Sequence, residues 1–258
     1  MHDNWLKTAR EAAAAAAEVI RHYYGRNIDV ETKADESPVT VADREAEKAI
    51  REIIAAACPE HAFFGEEFGR GGAADAEYRW LVDPIDGTKS FIRKQPFFST
   101  QIALVRGEDV ILGVSLAPLF GEEAWAVRAG GAFLNGERVS VSDVSAISAA
   151  SLSSGNIQSL ARDSEAWSRY GKLLRDVNRV RGYGDFYHYH LLARGAIDVV
   201  IESDLNILDV AALSLVVKEA GGRFTTLSGG PVREGMRSVL ASNGRLHGEV
   251  LQRIEWGE

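Results

Sequence analysis

The segment WLVDPIDGTKSF, residues 80–91, places two acidic side chains three positions apart directly after an apolar stretch. Ionised carboxylates resist burial beside apolar residues unless a cation compensates for their lost hydration. The proline between Asp83 and Asp86 fixes a bend that would turn both carboxylates to one side. The Ile85 carbonyl oxygen would add a neutral ligand there. The segment therefore predicts a metal site.

The two residues that follow suit a phosphate. Gly87 allows the backbone to come close to a ligand, because it carries no side chain. Thr88 is predicted to open a short helix, and the free N–H groups at a helix start favour an anion. We therefore expect a phosphate group beside the metal.

Other acids also stand at the ends of apolar segments: Asp43 after PVTVA, Glu66 and Glu67 after HAFFG, and Asp209 before an apolar helix. Each alone has a simple structural interpretation, as a solvated loop charge or a helix N-cap, and Asp86 alone could form an Asx turn. Together they indicate magnesium. A pair of such ions requires several hard oxygen ligands that converge from different chain segments.

The first half of the chain is predicted to position these acids with two helices and a sheet. Helical spacing of apolar residues predicts helices over residues 5–24 and 44–57, the second beginning near Thr40. A Gly/Ala-rich loop is expected at 69–74. Apolar segments separated by turn-forming residues predict an antiparallel meander over 78–84, 99–107, 109–118 and 122–130.

Past about residue 142 the pattern changes to an alternation of strands and helices, which indicates a layered α/β architecture. The predicted strands include 147–155, and the predicted helices include 165–177 and 245–254. We therefore expect two sub-domains that share one interface, 1–144 with most of the acids and 145–258 with Asp209.

Composition excludes several classes of protein. The 258 residues, 46% hydrophobic and 26% charged, are typical of a globular protein. A formal charge of −8 argues against a general nucleic-acid or anionic-membrane surface. Cys58 is the only cysteine, so an intrachain disulfide is excluded and a reducing compartment, by default the cytoplasm, is favoured. No segment approaches the roughly 18–20 uncharged apolar residues of a membrane-spanning helix.

The motifs that carry these acids resemble, in order and over nearly the whole chain, those of the inositol monophosphatase-like phosphatases. The resemblance implies an αβαβα sandwich and a magnesium-dependent phosphomonoesterase with two or three Mg²⁺ per site, a small phosphate monoester as substrate, and a homodimer. The motifs are SPVTVAD at 37–43, GEE at 65–67, WLVDPIDGTKSF at 80–91 and LDVAALSLVVKEAGG at 208–222.

Motif position implies a role for each residue. Thr88 would pair with Asp43 to orient and deprotonate the attacking water, and the N–H groups of Gly87 and Thr88 would hold the phosphate. Lys33 would reach the substrate or the phosphate. Leu208 stands where the family motif usually has tryptophan. The implied metal ligands are Glu66, Asp83, the Ile85 carbonyl, Asp86 and Asp209, with Glu67 as an outer or additional ligand. Asp83 would bridge two ions, and Glu66 would also be catalytic.

Polar residues of the second half indicate the substrate. The acids Asp185, Glu202 and Asp204 would suit a leaving group that carries positive charge if they face the pocket, because a carboxylate recovers its desolvation cost best against a cation. Asn206 would contact the substrate beside them. The YGDFY stretch and the LD motif resemble the histidinol-phosphate phosphatase branch, which implies a role in histidine biosynthesis. A helix N-cap is the structural alternative for Asp185.

Other interpretations stay open. Inositol monophosphatase, fructose-bisphosphatase and nucleotide 3′-phosphatase activities differ only in the leaving-group pocket, and a non-catalytic phosphate-binding scaffold is a further alternative. His188 and His190 stand two apart, so they would point to different sides of a helix and favour packing over a zinc site. Cys58, at the predicted end of the second helix, is expected to be an inert thiol.

Overall fold

The computed structural model describes residues 2–27, 29–32 and 38–256. Within these ranges the helices are α1 His2–Tyr23, α2 Val41–Ala57, α3 Thr88–Ile92, α4 Gln158–Arg162, α5 Ser164–Asp176, α6 Asp185–Ala193, α7 Ile207–Glu219 and α8 His247–Ile254, with a 3₁₀ turn at Ile147–Ala149. The strands are β1 Val30–Thr32, β2 Pro38–Thr40, β3 Ala62–Gly65, β4 Gly69–Gly71, β5 Tyr78–Asp86, β6 Ser99–Arg106, β7 Asp109–Ala117, β8 Glu122–Val127, β9 Gly131–Leu134, β10 Glu137–Val139, β11 Ser151–Gly155, β12 Arg179–Arg181, β13 Val199–Ser203, β14 Arg223–Thr225 and β15 Ser238–Ser242.

The predicted meander forms most of the larger sheet, whose described strands follow the order β10-β9-β8-β7-β6-β5-β3-β4. Strands β5 to β10 are antiparallel neighbours, whereas β3 runs parallel to β5. The prediction of a loop throughout 69–74 was wrong for residues 69–71, which form the strand β4. There β4 pairs with β3 through Gly65 and Gly69, because tertiary pairing outweighs the weak strand propensity of glycine.

The sheets and helices stack in five layers, which confirms the αβαβα sandwich. Helices α1 and α2 pack on one face of the larger sheet, where Ile20 and Ile50 join Trp80 in a buried cluster. Helices α6 and α7 fill the space between this sheet and the smaller one, β12-β11-β13-β15-β14. Helices α5 and α8 cover the outer face of the smaller sheet. Along β13, Val200 faces the middle layer while its neighbours face the outer one, as strand alternation requires.

Helix α1 contributes alanines to this packing. Ala9, Ala12, Ala13, Ala16 and Ile20 recur at helical spacing and are fully buried against α2 and the larger sheet. Small side chains let the helix approach closely. Among the described residues, no helix has both the length and the apolar character needed to cross a membrane.

Helix α7 lies close to the larger sheet although it comes from the second half of the chain. A Cβ added at Gly113 on β7 would lie 2.6 Å from the Ala212 carbonyl oxygen, so only glycine allows this approach. The larger sheet is built from residues before 145 and the smaller sheet from residues after it. The division into 1–144 and 145–258 stays a prediction.

Candidate active site

A bulge in β5 turns Asp83 and Asp86 to the same side. Residues three apart on a regular strand point to opposite faces. Here Asp83 pairs with Gln101 and Asp86 pairs with Ser99, so three steps along β5 match two along β6. The extra residue restores a common face. Asp83 also accepts a 3.0 Å hydrogen bond from the Ile85 N–H, which fixes its carboxylate.

Four of the predicted metal-binding acids, Glu66, Asp83, Asp86 and Asp209, line one cavity of about 420 Å³, whereas Asp43 does not line it. Oxygen atoms of Asp83, Asp86 and Asp209 lie within 4.8 Å of one another, although α7 carries Asp209 from the second half of the chain. Glu66 lines the same cavity from the turn after β3. The remaining lining residues are Ile85, Gly87, Thr88, Lys89, Ser90, Asn156, Gln158, Asp185 and Asp204.

The first turn of α2 positions Asp43. Thr40 caps the helix, and Asp43 accepts hydrogen bonds from the Thr40 N–H at 2.8 Å and the Thr40 hydroxyl at 2.6 Å. This capping box uses one oxygen of the carboxylate. The other oxygen lies 3.1 Å from the Thr88 hydroxyl. Asp43 is fully buried, and burial raises its pKa.

A second capping box positions Asp209. Asn206 caps α7 by accepting from the Leu208 N–H at 2.7 Å, and its own N–H and side-chain amide donate to Asp209 at 2.7 and 2.9 Å. Asp209 is therefore the third helical residue rather than the N-cap. Asn206 lies outside the lining of the cavity and holds a cavity-lining acid, so its predicted substrate contact stays a prediction.

Buried Glu47 on α2 holds the turn that carries Glu66. Its carboxylate accepts from the Glu67 N–H at 2.6 Å and the Phe68 N–H at 3.2 Å, and it pairs with Arg51 at 2.9 Å. A Cβ at Gly65 would lie 2.1 Å from this carboxylate, so the glycine of GEE makes room for Glu47. Glu67 is half-buried and does not line the cavity; its predicted role as an outer or additional ligand stays a prediction.

The electrostatics of the cluster fit a divalent cation. Burial raises the pKa of Asp83 well above its usual range, and the charges of Glu66 and Asp86 raise it further. Burial likewise raises the pKa of Asp86, and among its charged neighbours Asp185 raises this pKa the most. Burial raises the pKa of Asp209 to about 7. So many buried acids repel one another, and hard oxygen donors of this kind suit Mg²⁺.

The part of the cavity that is predicted to bind phosphate, called its phosphate end, is built around Gly87. Its φ of +96° lies in the left-handed region, and a Cβ there would lie 2.6 Å from the Phe97 carbonyl oxygen. No side chain fits this position. Thr88 then begins α3, as predicted, and its hydroxyl lies 3.0 Å from the Ile85 carbonyl oxygen.

We call the part of the cavity that Asp185 lines its acidic end. Asp185 is the first residue of α6, and no side-chain bond caps this helix, which excludes the N-cap interpretation. Burial raises the pKa of Asp185 to about 6, with Glu202 as the second cause. Glu202 lies behind the cavity, where it accepts from the Tyr189 hydroxyl at 2.7 Å and contacts His188 Nε2 at 3.0 Å. Its predicted substrate contact stays a prediction.

The histidines of α6 serve packing networks on different sides of the helix, as their spacing predicts. His188 contacts Glu202, whereas His190 contacts Glu122 at 3.1 Å and Ser115 at 2.9 Å. Cys58 is the buried C-cap residue of α2, and burial raises its thiol pKa, as expected of an inert thiol. Lys33 lies outside the described residues.

Sequence reasoning missed the polar residues that support the acids. Gln101 is buried on β6, donates to the Ser99 hydroxyl at 2.7 Å and the Ser115 hydroxyl at 3.1 Å, and has its amide nitrogen 3.5 Å from Asp86. Glu47 was detectable as a second acid, after Asp43, on the largely apolar buried face of α2. Asn156 and Gln158 line the cavity from an exposed segment whose sequence carries no such signal.

Comparison with known proteins agrees with this geometry. A sequence model of the inositol monophosphatase family matches residues 1–256. The chain is 40% identical to a histidinol-phosphatase of Mycobacterium tuberculosis over 99% of each chain, and 38% identical to a histidinol-phosphatase of Streptomyces coelicolor over 93% of this chain and 92% of that one. The solved structure of an inositol monophosphatase from Zymomonas mobilis superposes with a TM-score of 0.86 at 32% identity, covering 99% of both chains.

Proposed function

Because the chain belongs to the inositol monophosphatase family, whose members are metal-dependent phosphatases, we propose that it hydrolyses histidinol phosphate to histidinol and phosphate with Mg²⁺ as cofactor. The observation that carries this proposal is the convergence of Asp83, Asp86 and Asp209 within 4.8 Å, beside the hydrogen-bonded pair of Thr88 and Asp43.

The residues that would hold two or three Mg²⁺ ions are Glu66, Asp83, Asp86 and Asp209, with the Ile85 carbonyl as a neutral ligand. Bound there, Mg²⁺ would activate a water and neutralise charge on the phosphoryl and leaving oxygens. The buried position of Asp83, 2% exposed, supports this assignment, because an ionised carboxylate so deep in the protein needs a cation.

Thr88 and Asp43 would orient the attacking water and accept its proton. The Thr88 hydroxyl lies between Asp43 and the Ile85 carbonyl, at 3.1 and 3.0 Å, so it is held in place beside the acids. Burial raises the pKa of Asp43, which increases its affinity for a proton. The water oxygen would bond to phosphorus as the bond between phosphorus and the ester oxygen breaks, and the departing oxygen would take up a proton from solvent. The N–H groups of Gly87 and Thr88 would hold the phosphate.

The acidic end of the cavity supports a cationic leaving group. Asp185 lines it, and Glu202 adds negative charge from behind. An ammonium or imidazolium would neutralise both acids, whereas a neutral polyol would leave them repelling each other. Two relatives that are similar over nearly the whole chain are histidinol-phosphatases, which supports the same choice.

A phosphate-release panel tests the proposal. It compares histidinol phosphate, inositol 1-phosphate, fructose 1,6-bisphosphate and adenosine 3′,5′-bisphosphate, each with Mg²⁺ and with a chelator. We expect the highest kcat/KM for histidinol phosphate and loss of all activity on chelation. A preference for inositol 1-phosphate, which the Zymomonas structure makes the leading alternative, would overturn the substrate assignment. Activity that survives chelation would overturn the assignment of a metal cofactor.

Further proposals follow from the family resemblance. We propose that the enzyme acts as a cytoplasmic homodimer and contributes to histidine biosynthesis. Sedimentation of the purified chain tests the dimer, and complementation of a histidine auxotroph that lacks histidinol-phosphatase tests the pathway. Lithium is expected to inhibit at fixed Mg²⁺ concentration.

A further inference from the structure

Helix α4 begins beside the cavity without a cap of its own. Ile157 stands at its N-cap position, and no side-chain hydrogen bond caps the helix from there. The loop after β13 provides the acceptor instead. Asp204 accepts from the Ser159 N–H at 3.1 Å and also binds the Ser159 hydroxyl. Helix starts leave backbone N–H groups without partners, so Asp204 takes the place of the missing cap, from 45 residues away in the chain.

The same loop also holds the residue that ends β11. The Asn156 carbonyl oxygen accepts from the Ser203 N–H at 3.0 Å and from the Ser203 hydroxyl. The Ser203 hydroxyl lies 3.0 Å from Asp204 as well. Both ends of the segment 156–159 are therefore bound to residues 203 and 204.

The residues of this connection line the acidic end of the cavity. Asn156, Gln158 and Asp204 join Asp185 there. Asn156, Asp185 and Asp204 all adopt positive φ, at 44°, 44° and 59°, which residues other than glycine rarely do. Such backbone persists only where surrounding contacts hold it, and it concentrates at functional sites.

The carboxylate of Asp204 is occupied by this connection. Although burial raises its pKa, hydrogen bonds from Ser159 and Ser203 lower the pKa overall, so the group is ionised at neutral pH. Its oxygens already accept from the Ser159 N–H and the Ser159 hydroxyl, and the Ser203 hydroxyl lies 3.0 Å away. A direct role as the partner of a cationic substrate would compete with these bonds.

We propose that Asp204 is a positioning residue for leaving-group binding: by capping α4 it holds Asn156 and Gln158 against the leaving group at the acidic end of the cavity. It sets how tightly the leaving group is bound, and it takes no part in the chemical step. This inference rests on the proposed phosphatase function of the cavity and names a determinant of its substrate selectivity.

The test compares Asp204→Ala with the loss of the cap of the next helix, α5. Asp163 caps α5 by accepting from the Glu165 and Ala166 N–H groups at 2.9 and 3.0 Å, and it does not line the cavity. Asp163 also follows the last residue of α4, so Asp163→Ala removes a helix cap at the other end of this helix while it leaves every cavity-lining side chain in place. We expect Asp204→Ala to raise KM for histidinol phosphate about fivefold, which corresponds to the free energy typically lost with one helix cap. The kcat should be nearly unchanged. Asp163→Ala should leave KM unchanged.

Asp204→Asn separates positioning from charge. Asparagine keeps an oxygen for the Ser159 N–H, so we expect it to recover most of the lost affinity. The inhibition constant for inorganic phosphate and the Mg²⁺ half-saturation should stay at wild-type values in both variants, because the phosphate end is untouched. If Asp204→Asn raises KM for histidinol phosphate as much as Asp204→Ala does, the charge of Asp204 contacts the substrate directly and the inference is wrong. An unchanged KM in Asp204→Ala also overturns it.

Two measurements keep the outcome clear. If Asp204→Ala fails to fold, Ser159→Ala, which removes only the hydroxyl bond, should still raise KM, and an unchanged KM would contradict the inference. If the wild type does not prefer histidinol phosphate, the substrate assignment fails. The same comparison on the best substrate of the panel then still decides the role of Asp204.

Discussion

The Thr88 hydroxyl lies 3.1 Å from Asp43 Oδ1, which joins the first residue of α3 to the first turn of α2. Each partner is fixed by its own helix start, Asp43 by a capping box and Thr88 by the turn at Gly87. The pair therefore holds a hydroxyl beside the acidic cluster.

Replacing Thr88 by alanine removes this hydroxyl. We expect kcat to fall by about 10² to 10⁴, the usual contribution of positioned proton transfer, while the Mg²⁺ half-saturation stays within about twofold. Thr88→Ser keeps the hydroxyl and should retain most of the rate. Steady-state phosphate release at saturating Mg²⁺ measures both. A Thr88→Ala variant as active as Thr88→Ser would exclude the proton-transfer role.

Gln101 supports Asp86 from behind the cluster. Its replacement by leucine removes the donor to Ser99 and Ser115 and the polar atom 3.5 Å from Asp86. We expect the Mg²⁺ half-saturation to rise about tenfold, because groups that orient metal ligands typically contribute this much to metal affinity. Gln252→Leu, at an exposed position of α8, is the control. A lower melting temperature with unchanged Mg²⁺ dependence would limit Gln101 to a structural role.

Asp185 should determine the preference for a cationic leaving group. We expect Asp185→Asn to lower kcat/KM for histidinol phosphate by about 10- to 100-fold, as for the loss of a charge-assisted hydrogen bond. Inositol 1-phosphate carries no cation and should lose less than about threefold by the same reasoning. The neutral ester serves as the internal control. Equal losses on both substrates would remove Asp185 as the selectivity determinant.

His247, which lies away from the candidate active site, is expected to make the folded protein less stable in acid. It lies fully buried between the Thr225 and Ser242 hydroxyls, each 2.9 Å away, and burial lowers its pKa to about 4. Between about pH 6.5 and 4 the unfolded chain binds a proton there that the folded chain does not, so stability is full above this window and falls as pH drops.

Urea unfolding of the metal-free protein at pH 7.5 and 5.0 measures this effect. His247→Gln cannot titrate, so the loss of unfolding free energy between the two pH values should be smaller than in the wild type by about 1–2 kcal/mol. His22→Gln, at an exposed position of α1, is the control and should match the wild type. If His247→Gln shows the wild-type pH dependence, the buried histidine is not a source of acid sensitivity.

The acids at the ends of apolar segments were predictable because their positions follow from local rules. Both Asp43 and Asp209 are the third residue of their helix and close a capping box with the N-cap residue. Such helix starts can be recognised from sequence. The common face of Asp83 and Asp86 was predicted from the proline bend. The structure achieves it through a bulge against β6, which only the pairing of two strands can show.

The supporting residues depend on tertiary contacts that no local pattern carries. Glu202 and Asp204 are two residues apart, yet one is buried against Tyr189 and the other caps a distant helix. The strand β4 forms in a glycine-rich segment because β3 offers a partner. Sequence therefore identified the acids of the cluster, whereas the contacts behind them required the fold.

The most direct test of the central claim, that the clustered carboxylates hold catalytic Mg²⁺, is phosphate release from histidinol phosphate by Asp86→Asn across a Mg²⁺ titration. We expect the fold to survive by circular dichroism and the rate at saturating Mg²⁺ to fall by about 10³-fold, because a charged metal ligand is lost. Asp109→Asn, which changes an exposed acid on β7, should keep the wild-type rate. A wild-type rate for Asp86→Asn at saturating Mg²⁺ would contradict the claim.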